Sequence, residues 1–156
     1  LESITKHIRQ RSEKAFVVWD PVLKASSGFG LFEKGNIEKP LSDVNLITPN
    51  KEEFEILIGT EEKALELSHQ TMIYLKGGHD KENLGKDFLY AKGKKFAFNP
   101  QGEKLSAKHG SGCVMASALC ANVVLGYPLI KACLRSKRYM EKVLSSNESL
   151  LAYHKR

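Results

Sequence analysis

Lys108-His109-Gly110-Ser111-Gly112-Cys113 sets a Gly-Ser-Gly turn at the mouth of an apolar segment, Val114-Met115-Ala116-Ser117-Ala118-Leu119-Cys120-Ala121, that runs to Leu125 before Gly126 and Pro128 stop it. The pattern predicts a helix over about 112–125. Two glycines let the backbone turn through conformations closed to other residues. The first N–H groups of the helix then converge on one point, where the helix dipole favours negative charge. Such a turn suits a phosphate, or the charge that develops on a phosphoryl group in transfer. The same residues also suit an ordinary loop-to-helix junction with Ser111 as N-cap.

Three upstream segments end alike. Phe16-Val17-Val18-Trp19-Asp20-Pro21-Val22 reads as a short buried strand closing on a carboxylate. Leu46-Ile47-Thr48-Pro49-Asn50 is a second strand, which delivers Asn50 and, three residues on, Glu53. Met72-Ile73-Tyr74-Leu75 is a third, followed by Lys76-Gly77-Gly78-His79. In each the polar residues sit at the carboxyl end of the strand, where open parallel α/β sheets bind ligands.

The intervening chain completes an alternating order. Apolar residues at 1, 4 and 8 have helical spacing; residues 24–36 read as a loop; helices are expected at about 51–58, stopped by Gly59, and at about 61–68. Phe88-Leu89-Tyr90 and Phe96-Ala97-Phe98 flank a Lys92-Gly93 turn, a hairpin over 87–98. A closing helix over about 128–145 carries an apolar stripe of Leu129, Ile130, Cys133, Leu134, Met140, Val143 and Leu144. The polar tail from about 146 is expected to be loosely held. Strands alternating with helices predict an α/β layer sandwich with a mainly parallel sheet flanked by helices and an antiparallel hairpin at one edge.

Composition sets bounds on function. With 42% hydrophobic and 27% charged residues the chain suits a water-soluble globular domain, and its 156 residues fit one domain. No apolar run approaches the ~20 residues of a membrane span, and no basic-then-apolar leader precedes residue 15. Three cysteines without paired spacing (Cys113, Cys120, Cys133) argue against a disulfide framework and fit the cytoplasm. The net charge of +6 could suggest nucleic acid, but the one basic cluster (Lys131, Arg135, Lys137, Arg138, Lys142) is expected on the solvated face of the last helix. No aromatic residues interleave with it to stack bases, so neither nucleic acid nor a membrane is an expected partner. His79 and His109 lack metal-ligand spacing, so zinc is not suggested.

Asp20-Pro21-Val22 followed by Ser27-Gly28, Ile47-Thr48-Pro49-Asn50 with Glu53, Lys76-Gly77-Gly78-His79 and His109-Gly110-Ser111-Gly112-Cys113 together resemble the ribokinase-like superfamily of small-molecule kinases. Within it they look most like the hydroxymethylpyrimidine/phosphomethylpyrimidine kinases of thiamine biosynthesis. Each motif is weak alone; their order, spacing and strand context are specific, and the resemblance runs from residue 1 to about 145. It implies a ribokinase-like sandwich whose amino-terminal strands and most of whose substrate pocket lie outside these 156 residues, leaving the nucleotide-binding half.

The resemblance also implies a chemistry: transfer of the γ-phosphoryl of ATP, with Mg²⁺, to the hydroxymethyl group of a small pyrimidine or its monophosphate. A pyridoxal kinase is the nearest alternative, and a nucleotide-binding module without turnover is the alternative of another class; a homodimer is left open. Gly110, Ser111, Gly112 and Cys113 would form the anion hole, with Cys113 as proton acceptor where most of the superfamily has Asp. A helix N-terminus favours the thiolate form of a cysteine. The plainer alternative makes Cys113 a buried packing residue, the role expected of Cys120 and Cys133. Asn50 and Glu53 would place magnesium and phosphate, although their spacing is also that of a capping box. Lys76 and Gly77 would meet a nucleotide phosphate, since a lone ammonium at a buried strand end calls for an anion. Asp20 would lie near the phosphates and, with Glu53, hold Mg²⁺ through water. Lys24 after Asp20-Pro21-Val22, Ser111 where Thr is common, and a divergent stretch at 97–108 depart from the family pattern.

Overall fold

Val18–Trp19 (β1), Leu46–Ile47 (β2) and Met72–Leu75 (β3) pair in parallel, with Val18 beside Leu46 and Leu46 beside Met72. They belong to a computed structural model that describes residues 2–23, 41–78, 84–101 and 106–154. The expected loop at 24–36, Lys24, Ser27-Gly28 and His79 lie outside the described residues. Asp87–Ala91 (β4) runs antiparallel to β3, and Lys94–Phe98 (β5) follows it, giving the sheet order β1-β2-β3-β4-β5. The hairpin turn is where the sequence puts it. Lys92 and Gly93 both have positive φ (52° and 70°), the pairing that a two-residue hairpin turn demands.

Both residues of β2 are buried, as a strand covered on two faces must be. Its parallel partner β3 is reached through two helices, Lys51–Leu57 (α2) and Glu61–Leu67 (α3), because parallel strands cannot be joined by a tight turn. α2 ends at Gly59, whose φ of +93° only glycine adopts freely. Phe54 and Leu57 of α2 and Ala64 of α3 pack with Ile47, Ile73 and Tyr90 to form the core on one sheet face.

The first helix, Glu2–Arg11 (α1), forms as expected but docks through polar residues: Ile4 is 65% exposed while Thr5 is buried. The Arg9 guanidinium explains why. It donates to the Asn45 side chain (2.7 Å) and to the carbonyls of Asp43 (3.1 Å) and Ala15 (2.7 Å), and Asn45 also accepts the Val17 N–H (2.8 Å). One side chain thereby ties α1 to the entries of β1 and β2.

Contacts divide the chain into two compact units, Leu1–Ala97 and Phe98–Arg156. The second is built on Ser111–Val124 (α4) and Leu129–Leu144 (α5), packed together. The face that α5 buries differs from the expected stripe. Cys133, Met140 and Val143 are buried, but Ile130 and Leu134 are exposed, and Lys137 is buried with its ammonium 3.9 Å from Glu141. Polar pairing between the helices sets this rotation: Asn122 of α4 donates to Ser136 (3.1 Å) and accepts from Arg135 (3.0 Å). Lys131, Arg135 and Lys142 are exposed as expected, and Arg138 is half-buried on Glu141.

The tail, expected to be loosely held, is instead tied down. The buried Lys108 ammonium donates to the Asn147 carbonyl, the Asn147 side chain (3.1 Å) and the Ser149 carbonyl (2.6 Å), while the His109 N–H reaches Leu150 (3.0 Å). Among the described residues no carboxylate contributes. A buried ammonium is here satisfied by oxygen dipoles, which composition could not show. Lys108→Met keeps the aliphatic stem but leaves these acceptors unpaired, so it should destabilise the protein by roughly 1–3 kcal/mol. Chemical denaturation checks this, and an unchanged midpoint would mean the strap contributes nothing.

Candidate functional site

The parallel register decides which side chains meet at the carboxyl ends of β1–β3. Beyond the ladder the Lys76 N–H donates to Pro49 (2.9 Å), and Asn50 lies beside Lys76 in a parallel bridge. The structure therefore brings together Asp20, Asn50, Glu53, Lys76 and Gly77, five residues singled out from sequence.

Lys76 does not wait for an anion. Its ammonium lies 2.7 Å from Asp20 Oδ1 and 3.9 Å from Glu53 Oε2, with side chains 19% (Lys76) and 13% (Asp20) exposed. The expectation of a lone ammonium is corrected: the strand ends place a resident counter-charge within reach. Asp20 Oδ1 also accepts from the Thr48 hydroxyl (3.0 Å). Thr48 is buried at the end of β2, and the sequence reading gave it no role. Its signals are a hydroxyl in an apolar run one residue before a proline and its place in the Ile47-Thr48-Pro49-Asn50 motif.

Asn50 and Glu53 do form the capping box. Asn50 Oδ1 accepts the Glu53 N–H (2.9 Å) and Glu53 Oε2 accepts the Asn50 N–H (2.7 Å). This fixes the Glu53 carboxylate beside Lys76 instead of leaving it in water. Burial pushes the Glu53 carboxyl above its ordinary range; the Asn50 N–H and the Lys76 charge pull the other way, and the Asp20 charge adds to the rise. Glu52 and Glu55 are exposed, as expected.

Two carboxylates sharing one ammonium form a hard-oxygen donor set. Mg²⁺ is typically held by one or two carboxylates with retained waters. The residues present fit such an ion.

The glycine turn belongs to the second unit. Gly110, not Ser111, is the N-cap of α4: its φ is +71°, no side chain caps the helix, and Ser111 is already helical. The first backbone bond into the helix runs from Val114 N–H to Gly110 (3.0 Å). Among the described residues, the N–H groups of Ser111, Gly112 and Cys113 have no backbone acceptor. A serine N-cap would have filled one of these donors with its own oxygen. Cys113 is exposed and Cys133 buried, so the packing alternative holds for Cys133 and fails for Cys113. Cys120 is partly buried. His109 is exposed beside the turn.

Three parallel strands, the second and third joined through two helices, and an antiparallel hairpin make this an α/β protein with a mixed sheet. Bacillus subtilis pyridoxal kinase, in its ADP complex, superposes with a TM-score of 0.77 at 22% identity, covering 98% of this chain and 65% of that one. The phosphomethylpyrimidine kinase family profile matches residues 1–155, and the chain belongs to that family. The hydroxymethylpyrimidine/phosphomethylpyrimidine kinase of Aquifex aeolicus is 36% identical over 152 residues, 86% of this chain and 58% of that protein. A thiamine biosynthesis bifunctional protein of Geobacter sulfurreducens is 31% identical over 141 residues, 81% of this chain and 29% of that one. The chain thus spans little more than half the length of the Aquifex relative. No helix among the described residues is long and apolar enough to cross a membrane.

Glu53 gives a pH test. Because its folded carboxyl titrates above the unfolded one, the folded state holds the extra proton, and stability falls as pH rises through that interval. Glu53→Gln keeps an oxygen for the Asn50 N–H and removes the charge. The variant should match the parent at pH 3 and be at least as stable at pH 7. A thermal melt showing Glu53→Gln the weaker at neutral pH would mean that the Lys76 contact outweighs burial.

Proposed function

We propose that the protein containing this chain transfers the γ-phosphoryl group of ATP to the hydroxymethyl oxygen of the thiamine-precursor pyrimidine, and to its monophosphate. The family match over residues 1–155 carries the reading. The Asp20–Lys76–Glu53 constellation supports it, since phosphoryl transfer depends mainly on positioning and charge neutralisation. In the first transfer the alcohol oxygen forms a bond to phosphorus as the bond to ADP breaks and the alcohol proton leaves; in the second a phosphate oxygen of the monophosphate is the acceptor, and ADP again leaves.

Each residue has a role in this reading. Lys76 exchanges its carboxylate contacts for a nucleotide phosphate; Gly77 beside it supports the strand end, its N–H taken by Asp87 and its missing Cβ making room for the Lys86 carbonyl. Asp20 and Glu53 would hold Mg²⁺ through water, where the ion would offset phosphate charge. Asn50 fixes the Glu53 carboxylate. Gly110, Ser111, Gly112 and Cys113 offer N–H groups to the transferring phosphoryl, and the exposed Cys113 sulfur takes the proton. The cytoplasm is the proposed location.

This chain should bind Mg·ADP in calorimetry without turning over the pyrimidine; a folded chain that binds none would defeat the nucleotide reading. Substrate choice needs the full-length natural polypeptide, assayed with ATP, Mg²⁺, hydroxymethylpyrimidine and pyridoxine. The expected kcat/KM favours hydroxymethylpyrimidine, and the reverse ratio would indicate a pyridoxal kinase.

The turn can be dissected in that full-length background. Cys113→Ala should lower kcat by ~10²–10⁴-fold, the usual contribution of a general base, with little change in nucleotide affinity. Gly110→Pro cannot adopt the +71° φ and should abolish the donor array, at ~10²–10³-fold per donor. Cys113→Asp should keep partial activity. Parental turnover by Cys113→Ala across the pH range would show that the thiol takes no proton.

A further inference from the structure

The Lys76-Gly77 segment is held from the hairpin side by a buried carboxylate that the proposed chemistry does not use. Asp87, the first residue of β4, is only 8% exposed. Its Oδ1 accepts the Gly77 N–H (2.8 Å) and its Oδ2 the Tyr74 hydroxyl (2.7 Å). The β3–β4 register pairs Leu75 with Phe88, so continuing it sets Lys76 opposite Asp87 and Gly77 opposite Lys86. There the strands come very close: a Cβ on Gly77 would lie 2.0 Å from the Lys86 carbonyl oxygen. The Gly77 carbonyl accepts the Gly85 N–H (2.9 Å). Lys76 is thus fixed on one side by the Pro49 carbonyl and on the other by what Asp87 does to its neighbour.

We propose that Asp87 is a positioning residue for the nucleotide site. Its carboxylate acts as a side-chain substitute for a strand carbonyl, clamps the Gly77 N–H, and so aims the Lys76 ammonium along the strand ends towards Asp20. The energetic case rests on burial: a carboxylate placed this deep needs donors, and among those it has are the Gly77 backbone N–H, directly after Lys76, and a fully buried phenol. The clamp deepens the proposed function and rests on it only for the identity of the ligand.

The test has two readouts. The first is Mg·ADP affinity of this chain by calorimetry. Asp87→Ala should weaken it roughly tenfold, a charge-assisted hydrogen bond having been lost. Asp87→Asn keeps an oxygen for Gly77 and should restore near-parental affinity, and Tyr74→Phe, which removes a donor to Oδ2 and leaves the Gly77 contact, should bind like the parent. In a Lys76→Met background Asp87→Ala should cost nothing further, because the clamp acts through Lys76. Additive losses, or parental affinity in Asp87→Ala, overturn the proposal. The second readout is amide hydrogen exchange of Gly77 in the parent, which requires no variant to fold: protection is expected, and exchange at the unprotected rate overturns the clamp. Should the parent bind no Mg·ADP, the nucleotide reading falls alone. The clamp is then judged on Gly77 exchange and on the Lys76 ammonium resonance, which must shift in Asp87→Asn less than in Asp87→Glu, where the carboxylate is displaced by a methylene.

Discussion

The register of three parallel strands is the constraint on which the strand-end site depends. A parallel ladder aligns strands of different sequence so that all finish at one edge, and the edge is where the apolar pattern stops. Val18, Leu46 and Met72 are level, so Asp20, Thr48 and Lys76 emerge within one residue step or two of each other. Shifting one strand by a single residue would turn every side chain to the opposite face and dismantle both the core and the ion pair. The Lys76 N–H to Pro49 bond continues the ladder past the last apolar pair and carries this order into the polar residues.

The site is economical in donors and acceptors. Asp20 receives the Lys76 ammonium and the Thr48 hydroxyl on one oxygen, and Glu53 is held by the helix that it caps. Such mutual satisfaction lets charge persist at a sheet edge that is mostly out of water. An anion or cation arriving there would have to displace a partner already in place rather than meet an isolated charge. The glycine turn in the second unit works oppositely, presenting donors to which the helix itself gives no acceptor.

The hairpin and the tail show how residues outside a motif come to support it. Asp87 and Lys108 are both charged, both buried, and both bonded to backbone around a quoted motif. In a linear sequence each looks like an ordinary surface charge. Their burial follows from how tightly β4 approaches β3 and from how the tail folds over residues 106–109, and neither has a periodic signature.

Local chemistry determined the elements and the motif positions. Gly59, the Lys92-Gly93 pair and Gly126 stop or turn the chain because few residues tolerate positive φ, and apolar runs ending in Asp20, Asn50 and Lys76 were legible as strand ends. The capping box was legible too, as a spacing of three. Tertiary structure alone decided the partners: that Lys76 is paired rather than waiting, that Gly110 rather than Ser111 caps α4, that Cys113 is exposed, and that α5 turns Lys137 inward and Leu134 outward. The physical reason is common to all four. Propensity and pattern act over a few residues of one element, whereas counter-ions, exposure and helix rotation are set by groups up to 56 positions away, such as Asp20 and Lys76, which only packing brings within hydrogen-bond distance.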